Sequence, residues 1–414
     1  MAFDMLTITG QERSILTRLA ATVAELAARP IEDTKRKIWF DHNALKPTRP
    51  LIFCDPENGW NEIIPPHRLE CSHPTAREWE MRLRKEIFWG SQMNDDRVIE
   101  AVFDVSHVYS ESDWGLQETR IGGHAGGAYT WDAPLKKFSE MNRLHYPQIS
   151  VNAKATQHGM EVAHEIFGNF LNVRLKTAWW WTLGMTWTLI NLRGLERIMF
   201  DMLDNPVDLH RLMGFLRDGT MARLDFLEQN DHLSLNNDGS YVGSGGFGWT
   251  RELPQVDYCE KIRIKDLWGF AESQETVGIS PAMFSEFIFP YQFPILDRFG
   301  LNCYGCCEPL DKRWHVVEKY PRLRRISVSA WASVERMAEF LGDRYIFSWK
   351  PPPSDLAMQV FDEGAIRTKI RNGFKLMEQH HCCVEAIMKD NHTILNDPNR
   401  IIRWVEIAKE EAGA

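Results

Sequence analysis

Cys303, Cys306 and Cys307 fall within five residues of the stretch NCYGCCEPL, and Glu308 follows directly. Thiolates and carboxylates are ligands for zinc, which takes three or four donors in a tetrahedron. Buried or reactive thiols without a metal are the competing reading. LNCY reads as the end of a strand, and a strand sends alternate residues to opposite faces. Cys306 and Cys307 therefore converge only if the chain turns at Gly305. The candidate metal ligands are Cys306, Cys307 and Glu308, joined by His392 from a later strand end.

The stretch KDNHT supplies a second set. Lys389 can hold a carboxylate or phosphate, Asp390 can act as a base or orient an imidazole, and His392 can ligate metal or shuttle a proton. The plainer alternative is that Asp390 and Thr393 cap a loop. Glu272 in WGFAESQE is a further candidate acid or base, with an exposed loop acid as the alternative. Lys389, Asp390, His392 and Glu272 are thus the catalytic candidates. Asn237 and Asp238 end the run DHLSLNND, Trp349 and Lys350 precede three prolines, and Tyr304 sits beside the cysteines. These five are the expected substrate contacts. An aromatic wall beside a cation suits a planar or anionic ligand. Cys382 and Cys383 begin a strand, which assigns them to the opposite, structural end.

These groups must be positioned by a scaffold, and the chain alternates short apolar runs with amphipathic helical runs from about Arg49 onward. Strand-then-helix repetition implies a parallel sheet. About eight such units in 414 residues predict an α/β fold of the (β/α)8 TIM barrel type. In that fold the C-terminal ends of the strands carry the chemistry. Residues 46–414 are read as the barrel and 1–45 as an N-terminal helical arm, whose Thr9 and Glu12 fit a capping box. The run GSYVGSGGFG is read as a mobile loop, or one where backbone approaches a ligand.

A net charge of −9 argues against a nucleic-acid partner. The longest apolar stretch, TAWWWTLGMTWTLINL, is too short and mixed for a membrane span. With neither a basic start nor an apolar leader at MAFDMLTITG, a cytoplasmic location is expected, with the 8 cysteines as thiols, metal ligands or buried residues.

Three runs, GMTWTLINLRGLERIMFDMLDNPVDLHRLM, ISPAMFSEFIFPYQFPILDRFGLNCYGCCEPL and GDRYIFSWKPPPSDL, occur in the order seen in the uroporphyrinogen decarboxylase superfamily. The chain resembles that superfamily over roughly residues 160 to 405. The resemblance implies a (β/α)8 barrel, often a homodimer, acting on a small-molecule substrate. True decarboxylases of the superfamily carry an arginine-rich N-terminal motif, which RPLIFCDPENGW does not match. The resemblance is therefore closer to the corrinoid-dependent methyltransferase branch. Many of its members bind zinc through a His-x-Cys strand end and a later cysteine. Here Tyr304 stands at the histidine, Cys306 matches the cysteine, and KDNHT replaces the later segment. The expected function is a methyltransferase moving a methyl group between a corrinoid protein and a small acceptor or donor, with zinc assistance. Methylcobalamin would arrive on a separate corrinoid protein, since no Asp-x-His-x-x-Gly pattern is present. The alternative is a decarboxylase of a porphyrinogen or other carboxylic acid.

Overall fold

The computed structural model describes residues 6–122 and 129–413. Among the described residues there are twelve strands: β1 Leu51–Cys54, β2 Val102–Val105, β3 Tyr109–Glu111, β4 Thr119–Gly122, β5 Tyr129–Asp132, β6 Ile149–Val151, β7 Asn172–Leu175, β8 Trp268–Ala271, β9 Leu301–Tyr304, β10 Leu323–Val328, β11 Ile346–Trp349 and β12 Cys383–Met388. Six of them form one parallel sheet in the order β1-β12-β11-β10-β9-β8. β2 and β7 form a separate parallel pair, and β3–β6 and β4–β5 are short antiparallel pairs. The fold is α/β, as the alternation of the sequence predicts.

The two free edges of the six-stranded sheet are met by side chains as well as backbone. Beyond β1, Asp96 N–H donates to the Ile52 carbonyl at 2.8 Å, while the Asp96 and Asp95 carboxylates accept from Ile52 N–H at 2.7 Å and Cys54 N–H at 3.0 Å. Beyond β8, the Asn236 carboxamide accepts from Trp268 N–H at 2.9 Å and donates to the Trp268 carbonyl at 3.0 Å. Buried backbone groups must find partners. Here Asn236 does what a neighbouring strand would do. DHLSLNND, which reads as a strand, is accordingly irregular backbone.

The first helix, Gly10–Ala27, starts with the expected capping box at Thr9 and Glu12. It buries Ile15, Leu16, Leu19 and Val23 and packs on helices Pro74–Phe88 and Ala153–Phe167. The second helix, Pro30–Asn43, ends with Trp39, His42 and Asn43 buried. The Asn43 amide donates to the carbonyls of Phe247 and Trp249 at 2.9 and 2.8 Å. The end of this second helix is therefore docked at the N-terminal ends of the strands, with His42 and Asn43 against Cys383, Glu385 and Arg325.

The Gly-rich run is a correction to the sequence reading: residues 242–250 are buried, so it is an internal plug and not a mobile loop. Gly246, at φ +88°, leaves no room for a side chain. A Cβ there would lie 2.7 Å from Glu385 Oε1 and 2.8 Å from Arg325 Nε. Left-handed backbone and close approach both require glycine at this position.

Candidate functional site

The C-terminal ends of β9 and β12 bring the cysteine stretch and KDNHT together. On β9, Cys303 faces the plug loop, and the next residue, Tyr304, faces outward, where its hydroxyl donates to Gln292 Oε1 at 2.9 Å. Gly305 then turns the chain at φ +90°. After the turn Cys306 Sγ and Cys307 Sγ lie 3.7 Å apart, so the two sulfurs converge as the turn requires. Cys306 is buried and Cys307 is exposed.

Cys306 sits among donors. The Ser244 hydroxyl, from the plug loop, donates to Cys306 Sγ at 3.1 Å. Lys389 Nζ donates to Ser244 Oγ at 3.3 Å and lies 3.4 Å from Glu57 Oε1 and 3.7 Å from Asp390 Oδ1. The Cys307 thiol, then Lys389 and Ser244, lower the pKa of Cys306 against the opposing effect of burial. The shared proton and burial push Cys307 up correspondingly. Burial disfavours the charge on Lys389, but Tyr241, Asp390, Cys306 and Glu57 around it more than compensate and hold it protonated. The result is a Cys306 thiol whose ionisation is favoured, beside an ammonium at Lys389.

A carboxyl cluster lies next to it. Glu308 accepts from Cys306 N–H and Ser273 N–H, each at 2.8 Å. Glu272 is fully buried; it accepts from Gln274 N–H at 2.9 Å and from the Thr182 hydroxyl at 3.3 Å. Burial, then the neighbouring Glu275 and Glu308, raise its pKa well above the carboxylate range, which makes it a proton carrier.

An aromatic cleft of about 530 Å³ has Trp179, Trp180, Trp181, Phe270, Tyr241 and Gly243 in its walls; Cys306 and Lys389 are not among its lining residues. The plug loop joins the two features: its residues 241–243 line the cleft and Ser244 touches Cys306. Lys176 in the cleft wall, and Arg174 two residues before it, are held by carboxylates. Arg174 bonds Asp104 at 2.7 Å and Asp238 at 3.0 Å, and Lys176 bonds Asp238 at 2.7 Å.

Several expected roles are corrected by these positions. The four expected metal ligands do not come together. Among the described residues no three His, Cys, Asp or Glu side chains are grouped to hold a metal ion. Glu308 is committed to two backbone N–H groups, and His392 stands exposed. Cys306 and Cys307 alone fall short of a tetrahedral zinc site. Tyr304 points to the helix layer because strand alternation puts it opposite Cys303, so it is no substrate contact. Trp349 is buried against Gly373 and Phe374, 5.9 Å from the latter's ring centre, and forms core. Asn237 donates its amide to the Leu253 carbonyl at 2.7 Å and fixes the loop. Lys350 lies inside the sheet domain, its Nζ 2.6 Å from Ser348 Oγ, where burial drives its pKa down to about 7. Asp238 is not among the residues lining the cleft and is paired with Lys176 and Arg174. Lys389 and Asp390 stand where expected, beside Cys306. Ser244 and Glu57 were not singled out from the sequence. Only the glycine spacing around Ser244, and the place of Glu57 two residues after the end-of-strand Asp55, mark them there.

No family model matches the chain, and no curated protein matches it. What the structure defines is an α/β protein with Cys306 and Lys389 joined through Ser244 at the C-terminal ends of its sheet. The activity has to be argued from that pair and its surroundings.

Proposed function

We propose that β2 and β7 complete the six-stranded sheet into a (β/α)8 barrel, and that the chain is a methyltransferase working as a homodimer in the cytoplasm. The methyl group would pass between a corrinoid carried on a separate protein and a small acceptor or donor in the aromatic cleft. The observation that carries this reading is Cys306, its ionisation favoured by Cys307, Lys389 and Ser244, near a cleft walled by tryptophans. When bound, methylcobalamin supplies a methyl group that a nucleophile can take without its electron pair. The chain's own residues then have three tasks. Cys306 takes the proton from the acceptor thiol or hydroxyl. Lys389 holds the resulting anion in place. The aromatic walls exclude water, which strengthens both interactions. Glu272 is the reserve of protons for the reverse direction. No step is routed through zinc, because the donor set does not fit it.

Decarboxylation is the second reading. It calls for a pocket of unpaired cations that grips carboxylates. In the cleft wall Lys176 is already neutralised by Asp238, and the single guanidinium left, Arg82, donates to the Asp104 carbonyl, which favours methyl transfer.

The test uses the purified chain with free methylcobalamin and a small thiol. Loss of the methyl–cobalt absorbance, abolished in Cys306→Ser, supports methyl transfer. Release of carbon dioxide from a small carboxylic acid, unchanged in Cys306→Ser, overturns it in favour of a lyase. Elemental analysis of the parent beside Cys306→Ser and His392→Ala tests the zinc question directly. One zinc per chain, lost in both variants, would show that the two strand ends rearrange around a metal.

A further inference from the structure

A second cavity, of about 1010 Å³, lies at the opposite, N-terminal ends of the strands. Its wall includes Leu45, Arg49, Phe374, Lys375, Cys382 and Cys383. Cys383 is the first residue of β12 and is half-buried. Its Sγ lies 3.2 Å from His42 Nδ1. On the far side of the ring, His42 Nε2 lies 3.2 Å from Glu385 Oε2. Glu385 is itself fixed: Arg325 Nε donates to Oε1 at 2.9 Å, and the Ser348 hydroxyl donates to the same oxygen. His42 and Glu385 are fully buried, with only the sulfur's side open to the cavity.

We propose that Cys383, with His42 as its base and Glu385 as the residue that orients His42, forms a second reactive centre, transferring acyl groups from activated esters bound in this cavity. The order of parts is the one nucleophilic catalysis needs: a sulfur in front, a base within hydrogen-bond reach, and a third group that sets the base's tautomer. Glu385 is held as a carboxylate, so His42 Nε2 must donate to it. Nδ1 is then the acceptor, with the Cys383 sulfur at 3.2 Å and the more distant Thr48 hydroxyl at 3.5 Å. Burial works against a charged His42, but Cys383 and Glu385 outweigh it and raise its pKa to about 9. The ring nitrogen facing the sulfur is therefore placed to take the thiol proton as Cys383 attacks.

The step balances within the site. Cys383 Sγ attacks the ester carbonyl carbon and an S–C bond forms. The ester C–O bond breaks, and its electron pair leaves on the oxygen, which takes the proton from His42 Nδ1. Water then adds to the thioester, giving its proton to His42. The S–C bond breaks, the carboxylic acid departs, and the proton returns to sulfur. The competing arrangement is inert: the thiol can donate instead to the His42 carbonyl, 3.4 Å away.

The full chain carrying Cys306→Ser and Cys307→Ser is mixed with 4-nitrophenyl acetate, and released nitrophenol is followed from the first seconds. A burst of one equivalent per chain is expected, with the acetyl group located on Cys383 by mass spectrometry. In parallel, iodoacetamide at pH 7 should label Cys383 at least about tenfold faster than the adjacent Cys382, whose pKa burial pushes up to about 12. Adding Cys383→Ser should abolish the burst while the thermal melt shows a folded chain. Equal labelling of the two cysteines, acetylation elsewhere, or fast labelling without a burst would each overturn the proposal.

Discussion

The Ser244 hydroxyl lies 3.1 Å from Cys306 Sγ and is one of the groups that favour ionisation of this sulfur. A hydrogen bond to a charged group contributes about 1.5–3 kcal/mol. Ser244→Ala should therefore slow alkylation of Cys306 at neutral pH by about tenfold. Iodoacetamide labelling followed by peptide mapping reads this. A rate equal to the parent's would show that Cys307 and Lys389 hold the charge unaided.

Lys389 is the cation of the same cluster, and the proposed mechanism asks it to hold an anion that forms only after proton transfer. Lys389→Met should lower kcat of the methyl transfer by about a hundredfold, the scale seen when one electrostatic partner of a developing charge is removed. KM should change much less. A rise in KM with kcat intact would assign Lys389 to binding alone.

Arg325 and Glu385 form an ion pair inside the sheet domain, with both side chains at most 2% exposed. Removing one partner leaves a buried charge without compensation, which typically costs about 3–5 kcal/mol. Arg325→Met should show that loss in urea unfolding. The double variant Arg325→Met with Glu385→Gln should recover part of it.

Lys350 makes stability depend on pH. Its pKa is about 7 in the folded chain, against an ordinary value of 10.5. Between those limits the unfolded chain binds the extra proton, so this group makes stability rise with pH across the window. His42, raised from 6.5 to about 9, acts in the other sense, and its contribution is lost as pH rises through 9. Comparing Lys350→Met with the parent cancels the histidine. The variant should be the more stable one below pH 7, and its advantage should vanish near pH 10.5. Thermal melts across that range measure it.

Asn236 replaces a strand at the edge of β8. Asn236→Ala would strand the N–H and carbonyl of Trp268, a loss of about 1–3 kcal/mol for each buried group left without a partner. Urea unfolding of this variant should show it. Asn236→Asp should restore only the bond from Trp268 N–H and recover part of the loss.

Much of the fold was legible because it is local. The capping box at Thr9 and Glu12, the strand-then-helix alternation, and the turn at Gly305 each depend on a few neighbouring residues. DHLSLNND has the apolar alternation of a strand, but its pairing is made by an asparagine side chain, which no pattern of hydrophobicity records. Strand alternation separates Tyr304 from Cys303, yet the chemistry of the tyrosine drew it into the candidate site. His392 follows a strand end, but the loop after Asp390 carries it to the surface. His42 and Glu385 meet across 343 positions of chain. Such contacts are set by the way helix Pro30–Asn43 docks, and spacing in the sequence is silent on them.

The plug loop divides the interior. With Gly243 against Cys303, Gly245 against Ile387 and Gly246 against Glu385 and Arg325, backbone fills the space a solute would need to pass from one mouth to the other. The two mouths are separate compartments, but they share a field. Lys350 feels Glu385, Lys389 and Cys306, and Glu385 in turn holds His42. Occupation of one mouth by a charged ligand should thus alter proton affinity at the other, with no movement of the backbone between them.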